Sequence, residues 1–84
     1  MKLADLPNIG PVLAQNLKVV GVETPEQLRE IGACEAFLRI RTQVDSTACF
    51  HQLTALAGAE KGVRKTMLTA EEKQELRAFF DRLS

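Results

Sequence analysis

Apolar residues recur at helical spacing along almost the whole chain. Leu13, Leu17 and Val20 stand at i, i+4 and i+7, so they share one face of a helix. Three later stripes have the same spacing: Ala33, Phe37, Ile40 and Val44; then Cys49, Phe50, Leu53, Leu56 and Ala57; and finally Leu76, Phe79, Phe80 and Leu83. No stretch of useful length alternates with period two. The pattern therefore predicts an all-α domain.

Capping residues divide these stripes into short helices. Thr24 followed by Pro25 and Gln27 has the spacing of a capping box, and so does Thr69 followed by Glu72. Gly21 is expected to end the helix that contains Leu13 and Leu17.

Two further boundaries are set by less specific residues. Leu3 and Leu6 suggest a short helix before Pro7. Asp45 or Ser46 is expected to cap the helix that contains Leu53 and Leu56. We therefore predict a compact bundle of five to six short helices.

A rigid corner precedes the second of these helices. Pro7, Asn8, Ile9, Gly10 and Pro11 have the composition of a helix-hairpin-helix turn, with Asn8 where such turns usually have their first glycine. Asn tolerates a positive φ, so the turn can form. We expect Gly10 to adopt a backbone conformation that a β-carbon would strain. The corner can be a packing device or a grip for a phosphate group at a helix N-terminus. We favour the packing device, because Pro11 lacks an N–H and Val12 offers no charge.

Length and charge limit what the chain can do. Its 84 residues are enough for a single domain, 1–84, and eleven basic residues balance eleven acidic ones. A nucleic-acid site would thus have to be a local patch, and with no Trp or Tyr a base-stacking platform is not expected. No apolar run could cross a bilayer and no signal peptide is recognisable, so we expect a cytoplasmic protein with no membrane contact.

Catalytic and metal-binding patterns are weak. Cys49 and His51 are two residues apart on a predicted helix, which separates their side chains, and no C-x₂-C pair accompanies them. Cys34 and Cys49 are expected to be reduced core residues, and His51 to lie at the surface or at a contact with a partner. The sequence therefore predicts no enzyme activity, no metal, no cofactor and no small-molecule substrate.

The candidate nucleic-acid contacts are the corner and the cations that could lie near it. Lys61, Arg64 and Lys65 surround a glycine before the last helix, and Lys18 follows the corner residue Gly10. A phosphate patch is one interpretation of this cluster. The other, which we favour, is a solvated loop whose cations stabilise the C-terminus of the preceding helix.

A family resemblance extends over nearly the whole chain. The segments "NIGP", "GVETPEQL", "GACEAFLR", "LTALAGA" and "LTAEEKQEL", in this order and spacing, resemble the C-terminal domain of the TfoX family, which regulates DNA-uptake competence. The resemblance implies a five-helix fold, no enzyme activity and a regulatory or DNA-associated role. Family members commonly have a lysine directly after the "GP" of the hairpin, whereas this chain has Val12.

Two function classes follow from these observations. The first, which we favour, is a small regulatory module that acts through a protein partner or through self-association. The second is a module that binds DNA weakly and without sequence preference. Zero net charge and the loss of the corner cation at Val12 favour protein contacts.

Overall fold

The computed structural model describes residues 2–83, which form α-helices and 3-10 turns and contain no strand. In chain order they are a 3-10 turn Leu3–Asp5, α1 Pro11–Val19, α2 Pro25–Ile31, α3 Ala33–Gln43, α4 Phe50–Lys61, a 3-10 turn Lys65–Met67 and α5 Ala70–Asp81. The predicted all-α bundle is confirmed, with five α-helices among the described residues. No helix within this range is long and apolar enough to cross a membrane.

Both predicted capping boxes are present. Thr24 Oγ1 accepts a hydrogen bond from the Gln27 N–H at 3.1 Å, and Gln27 Oε1 accepts one from the Thr24 N–H at 3.2 Å. Thr69 and Glu72 form the equivalent pair of bonds at 3.1 and 2.8 Å. These boxes fix the starts of α2 and α5 because they satisfy N–H groups that have no partner inside the helix.

The end of α1 also follows the sequence prediction. Gly21 has a φ of 88°, and its N–H donates to the Lys18 carbonyl at 3.1 Å. The Val22 N–H donates to the Leu17 carbonyl at 2.8 Å. This pair of bonds is a Schellman motif, in which the left-handed residue turns the chain away from the helix axis.

The start of α4 differs from the prediction. Cys49 precedes the first helical residue, and neither Asp45 nor Ser46 caps the helix. Asp45 Oδ1 instead accepts bonds from the Thr47 N–H at 2.9 Å and the Thr47 hydroxyl at 2.5 Å. These two bonds hold the pKa of Asp45 below its usual value. The carboxylate therefore closes a local turn of the α3–α4 loop.

A single glycine joins α2 to α3. Gly32 has φ 84° and ψ 156°, a combination that essentially only glycine adopts. It is also the residue before α3, so it offers no side chain to cap that helix. Glu60 of α4 supplies the acceptor, since its Oε1 receives the Ala33 N–H at 2.7 Å. The start of α3 is thus tied to the end of α4.

The core is centred on α4. Every residue from 53 to 59 of this helix is buried, including the small residues that let neighbouring helices approach closely. The bulkiest fully buried side chains come from four helices and one loop: Leu17, Val22, Leu28, Phe37, Ile40, Leu53 and Leu56.

α5 lies against this core without burying any residue fully. Phe80 is half-buried, and its ring centroid is 6.0 Å from that of Phe37 and 5.7 Å from that of Phe50. The guanidinium groups of Arg41 and Arg77 lie 5.3 and 5.9 Å from the Phe80 ring centroid. The last helix therefore contacts Phe37 through Phe80, at the edge of the core.

Two predicted stripe residues lie outside the core. Val44 is exposed because it ends α3, where the chain leaves the bundle, and Cys49 is exposed because it precedes the first turn of α4. Helical spacing alone does not distinguish a helix from the residues that flank it. Both positions were therefore assigned wrongly to the core.

Candidate functional site

The corner is held in place by the side chain of Asn8. This residue has a φ of 70°, as expected from its tolerance of left-handed backbone. Its Nδ2 donates to the Val63 carbonyl at 2.9 Å and to the Ala55 carbonyl at 3.4 Å, and its Oδ1 accepts the Lys65 N–H at 3.0 Å. Asn8 therefore connects the corner to α4 and to the loop after it, a role that the sequence did not reveal.

Gly58 makes room for this connection. A β-carbon at this position would lie 2.6 Å from Asn8 Nδ2 and 2.7 Å from the Val63 carbonyl oxygen. Gly58 therefore permits the close approach of the corner to the helix.

Gly10 does not have the predicted strained backbone. Its φ is −90° and its ψ 179°, an extended conformation, and a β-carbon would meet nothing within 4 Å. Asn8 provides the left-handed turn two residues earlier, so Gly10 only precedes α1 as its N-cap. A single 3-10 turn, not an α-helix, precedes the corner. The helix-hairpin-helix motif stays a prediction.

The basic loop, the segment that carries Lys61, Arg64 and Lys65, is bonded to the corner through Asn8. The Lys65 N–H donates to Asn8 Oδ1 at 3.0 Å, which ties the start of the 3-10 turn Lys65–Met67 to the corner. Arg64 and Lys65 are exposed. Of the five candidate contact residues, Gly10 belongs to the corner and only Lys65 is thus shown in contact with it, through its main-chain N–H.

The other two candidates, Lys61 and Lys18, have different surroundings. Lys61 Nζ forms an ion pair with Glu72, the carboxylate that also closes the capping box of α5. Its charge is therefore partly neutralised by a neighbour that is itself held in place. Lys18 lies near the end of α1, eight residues from Gly10, which corresponds to about 12 Å along a helix.

Lys18 lines a groove between α1 and the first 3-10 turn. The groove has a volume of about 430 Å³ and a floor that includes Leu3 and Ala14. Its polar side chains come from Lys2, Gln15, Lys18 and Glu23. Sequence reasoning missed this groove because its two walls are separated by the corner.

An apolar pair lies on the outer face of α1. Val12 is 74% exposed and Val19 is 57% exposed, and they are seven residues apart on the same helix. Seven residues make almost two turns, so both side chains point in nearly the same direction. They lie about 10 Å apart along the helix axis, so they mark one side of α1 on which apolar side chains are exposed without forming a contiguous patch.

The thiols and the histidine do not form a reactive group. Cys34 is half-buried at the start of α3, where burial, and then the charge of Glu60, raise the pKa of its thiol. Arg82 opposes this shift. Cys49 and His51 are exposed, which confirms the surface position of His51 and corrects the core position expected for Cys49. Within residues 2–83, no group of three potential ligands could hold a metal ion.

A cleft separates α5 from the junction of α2 and α3. Its volume is about 440 Å³, and Cys34 and Glu60 line one side while Leu76, Phe79 and Arg82 line the other. The raised pKa keeps the Cys34 thiol protonated at neutral pH, which is the opposite of what a nucleophile needs. The cleft therefore lacks an activated nucleophile at Cys34.

Solved structures share this fold closely. The crystal structure of an uncharacterized protein from Listeria monocytogenes, in a triclinic form, superposes with a TM-score of 0.96 at 44% sequence identity, covering 99% of this chain and 93% of that chain. A Listeria monocytogenes protein of unknown function, in a tetragonal form, gives 0.93 at 45% identity, covering 98% and 99%. Both solved chains consist almost entirely of this one fold.

Relatives with known names are found by sequence comparison. The chain is 35% identical over 75 residues to the DNA transformation protein TfoX1 of Aliivibrio fischeri (strain ATCC 700601 / ES114). The match covers 89% of this chain and 36% of the relative, so the chain spans about a third of the length of that curated relative. The family model of the TfoX C-terminal domain matches residues 1–80. The chain therefore belongs to the TfoX C-terminal domain family.

Proposed function

We propose that this domain is a non-enzymatic regulatory module, associated with DNA-uptake competence, that acts mainly through protein contacts. Its family and the name of its Aliivibrio relative support the association with competence. We place it in the cytoplasm, where Cys34 and Cys49 stay reduced.

The surface at the corner carries this proposal. A hairpin that grips a phosphate combines the N–H groups of a helix N-terminus with a nearby cation. Here Pro11 lacks an N–H, and the next side chain is that of Val12, which is 74% exposed. Exposed valine at this place suits an apolar partner surface better than a phosphate.

DNA binding is the second candidate function, and a different observation favours it. The Lys65 N–H is bonded to Asn8, and Arg64 and Lys65 are exposed, which supports a phosphate contact from the loop that carries these two cations. Lys61 contributes less because of its ion pair with Glu72. Two phosphate contacts imply a salt slope of about −1.8, which is about a 12-fold loss of affinity for a fourfold rise in salt.

Fluorescence anisotropy with a labelled duplex of about 20 base pairs distinguishes the two functions. We expect the parent chain to show no binding tighter than about 100 µM at about 50 mM salt. Val12→Lys should gain salt-dependent binding, because it restores a cation at the corner. Salt-dependent binding by the parent that disappears in the Arg64→Ala/Lys65→Ala variant would overturn the proposal in favour of DNA binding.

A further inference from the structure

α5 is the α-helix that is packed least deeply in the domain. None of its 12 residues is buried, whereas each of the other four α-helices buries at least two. A cleft of about 440 Å³ separates α5 from the junction of α2 and α3. The apolar side chains of α5 therefore pack against the core while remaining only partly buried: Leu76, Phe79 and Phe80.

The core of the domain is formed without residues from α5. Its large, fully buried apolar side chains belong to α1 to α4 and to the loop between α1 and α2: Leu17, Val22, Leu28, Phe37, Ile40, Leu53 and Leu56. Hydrophobic stabilisation scales with the apolar area that is buried. The part of the domain that precedes α5 thus keeps most of this stabilisation when α5 is displaced.

The chain before α5 is fastened to the rest of the domain. Asn8 Nδ2 donates to the Val63 carbonyl at 2.9 Å, and Asn8 Oδ1 accepts the Lys65 N–H at 3.0 Å. Leu68 is buried, and Thr69, the residue after it, is exposed. The fastened segment therefore ends at Leu68, and the boundary between a fixed segment and a helix is where hinges usually lie.

Part of what shapes α5 is internal to it. The capping box joins Thr69 to Glu72, and Arg77 Nε forms an ion pair with Asp81 Oδ1 at 3.3 Å, one turn further along the helix. These contacts move with the helix, so they do not oppose its displacement.

Phe80 makes the contact that fastens α5 most firmly. Its ring packs against those of Phe37 and Phe50, at centroid distances of 6.0 and 5.7 Å. The ion pair of Glu72 with Lys61 also joins α5 to α4. Ion pairs between partly exposed side chains contribute little to stability. The position of α5 thus depends mainly on its apolar side chains, and on Phe80 above all.

We propose that α5 is a lid, which detaches as one unit about Thr69 while α1 to α4 stay folded. Detachment uncovers the face around Phe37 and Phe50, of which Phe37 is fully buried when α5 is in place. The closed state therefore hides an apolar face that the open state presents. This inference goes beyond the proposed function, because it concerns a conformational switch and does not depend on which partner the domain has.

Amide hydrogen exchange of the full ¹⁵N-labelled chain, followed by nuclear magnetic resonance at low urea concentrations, tests the proposal. A detached helix of 12 residues is marginal in water, so opening lets its amides exchange. We expect the amides of residues 73–81 to share one opening equilibrium constant, at least ~10-fold larger than that of the most protected amides in α3 and α4. Equal protection in α5 and α4 would overturn the proposal. Protection that falls gradually toward the C-terminal end of α5 would also overturn it, because it would show fraying.

Two variants separate detachment of the lid from unfolding of the whole chain. Val22→Ala removes buried apolar atoms from a residue that does not line the cleft. It should speed exchange in α3 and α4 by about 10-fold and in α5 by less than about twofold, because opening of α5 leaves the surroundings of Val22 folded. Phe80→Ala should speed exchange in α5 by at least ~10-fold, while the amides of α3 and α4 stay slower than those of α5.

The same variants can contradict the lid. If Val22→Ala speeds exchange in α5 as much as in α4, the amides of α5 exchange only when the whole chain unfolds. Loss of all slow exchange in Phe80→Ala would show that α1 to α4 cannot stay folded without α5. Either result would leave the proposed function standing, because that proposal depends on the surface at the corner.

Discussion

Asn8 shows how one side chain can organise a small domain. Its backbone adopts the left-handed turn for which hairpins usually have glycine, and its amide group makes three hydrogen bonds to main-chain groups 47 to 57 residues away. Two of the bonds are to Val63 and Lys65 in the segment after α4, and the third is to the Ala55 carbonyl in the middle of that helix. The corner and the end of α4 should therefore form or unfold together.

Replacing Asn8 tests this coupling. Asn8→Ala removes the three bonds and leaves a β-carbon at positive φ, so we expect a loss of about 2–4 kcal/mol in the free energy of unfolding. Asn8→Gly loses the same bonds without the strain and should cost about 1 kcal/mol less. Urea denaturation measures both, and parental midpoints would show that the amide contacts do not stabilise the fold.

Replacing Gly58 by alanine should destabilise the fold more than replacing Gly10. Gly58→Ala places a methyl group 2.7 Å from the Val63 carbonyl oxygen, and we expect it to cost about 1–3 kcal/mol despite the higher helix propensity of alanine. Gly10→Ala meets open space in extended backbone, so its cost should be limited to the poorer N-cap preference of alanine, about 0.5–1 kcal/mol. Thermal denaturation of the two variants measures the difference, and a lower melting temperature for Gly10→Ala than for Gly58→Ala would contradict this account.

The Cys34 thiol should make stability depend on alkaline pH. Its pKa is raised in the folded chain, mainly by burial, so the folded state holds this proton more tightly than the unfolded state. The resulting stability is complete below the unfolded pKa of about 8.5 and is lost as the pH rises through the folded pKa. The stability difference between the parent and Cys34→Ala should therefore shrink above about pH 8.5, whereas a constant difference would argue against the shift.

At the scale of secondary structure, local signals were predictable and long-range ones were not. The boxes at Thr24 and Thr69 and the stop at Gly21 depend on residues within a few positions of one another, so the sequence displays them directly. The cap that Glu60 provides for α3 joins residues 27 positions apart. Only the packing of α4 against α3 brings them together.

The candidate site divides in the same way. Sequence composition identified the corner and the basic loop, but it could not show that Asn8 connects them or that Lys61 is paired with Glu72. The groove beside α1 was also hidden, because it exists only when the first 3-10 turn folds back on the helix. Both the ion pair of Lys61 and the groove depend on residues that are brought together only when the chain folds.

α5 is the helix most dependent on a few contacts. It buries no residue fully, and Phe80 contacts Phe37 and Phe50 while Phe79 lines the cleft. We expect Phe80→Ala to cost about 2–4 kcal/mol, somewhat less than a fully buried phenylalanine, and Phe79→Ala to cost less. Chemical denaturation followed by far-ultraviolet circular dichroism provides the comparison, and equal losses would mean that the packing of α5 is described wrongly.

For the whole molecule, balanced charge is the property that most limits function. Eleven basic and eleven acidic residues give no long-range attraction for DNA, so any binding depends on local groups. The basic loop offers the exposed cations Arg64 and Lys65, whereas α1 exposes the apolar side chains of Val12 and Val19. The cations would favour a phosphate, and the valines favour a protein partner.

Nuclear magnetic resonance of the ¹⁵N-labelled chain tests the central claim, protein contacts in place of DNA binding, most directly. Amide shifts are followed while an unlabelled duplex of about 20 base pairs is added at about 50 mM salt. We predict no saturable, localised shifts at Gly10, Arg64 or Lys65. Shifts that converge on these three residues and vanish when salt is raised fourfold would contradict the account, because they would place a phosphate at the corner.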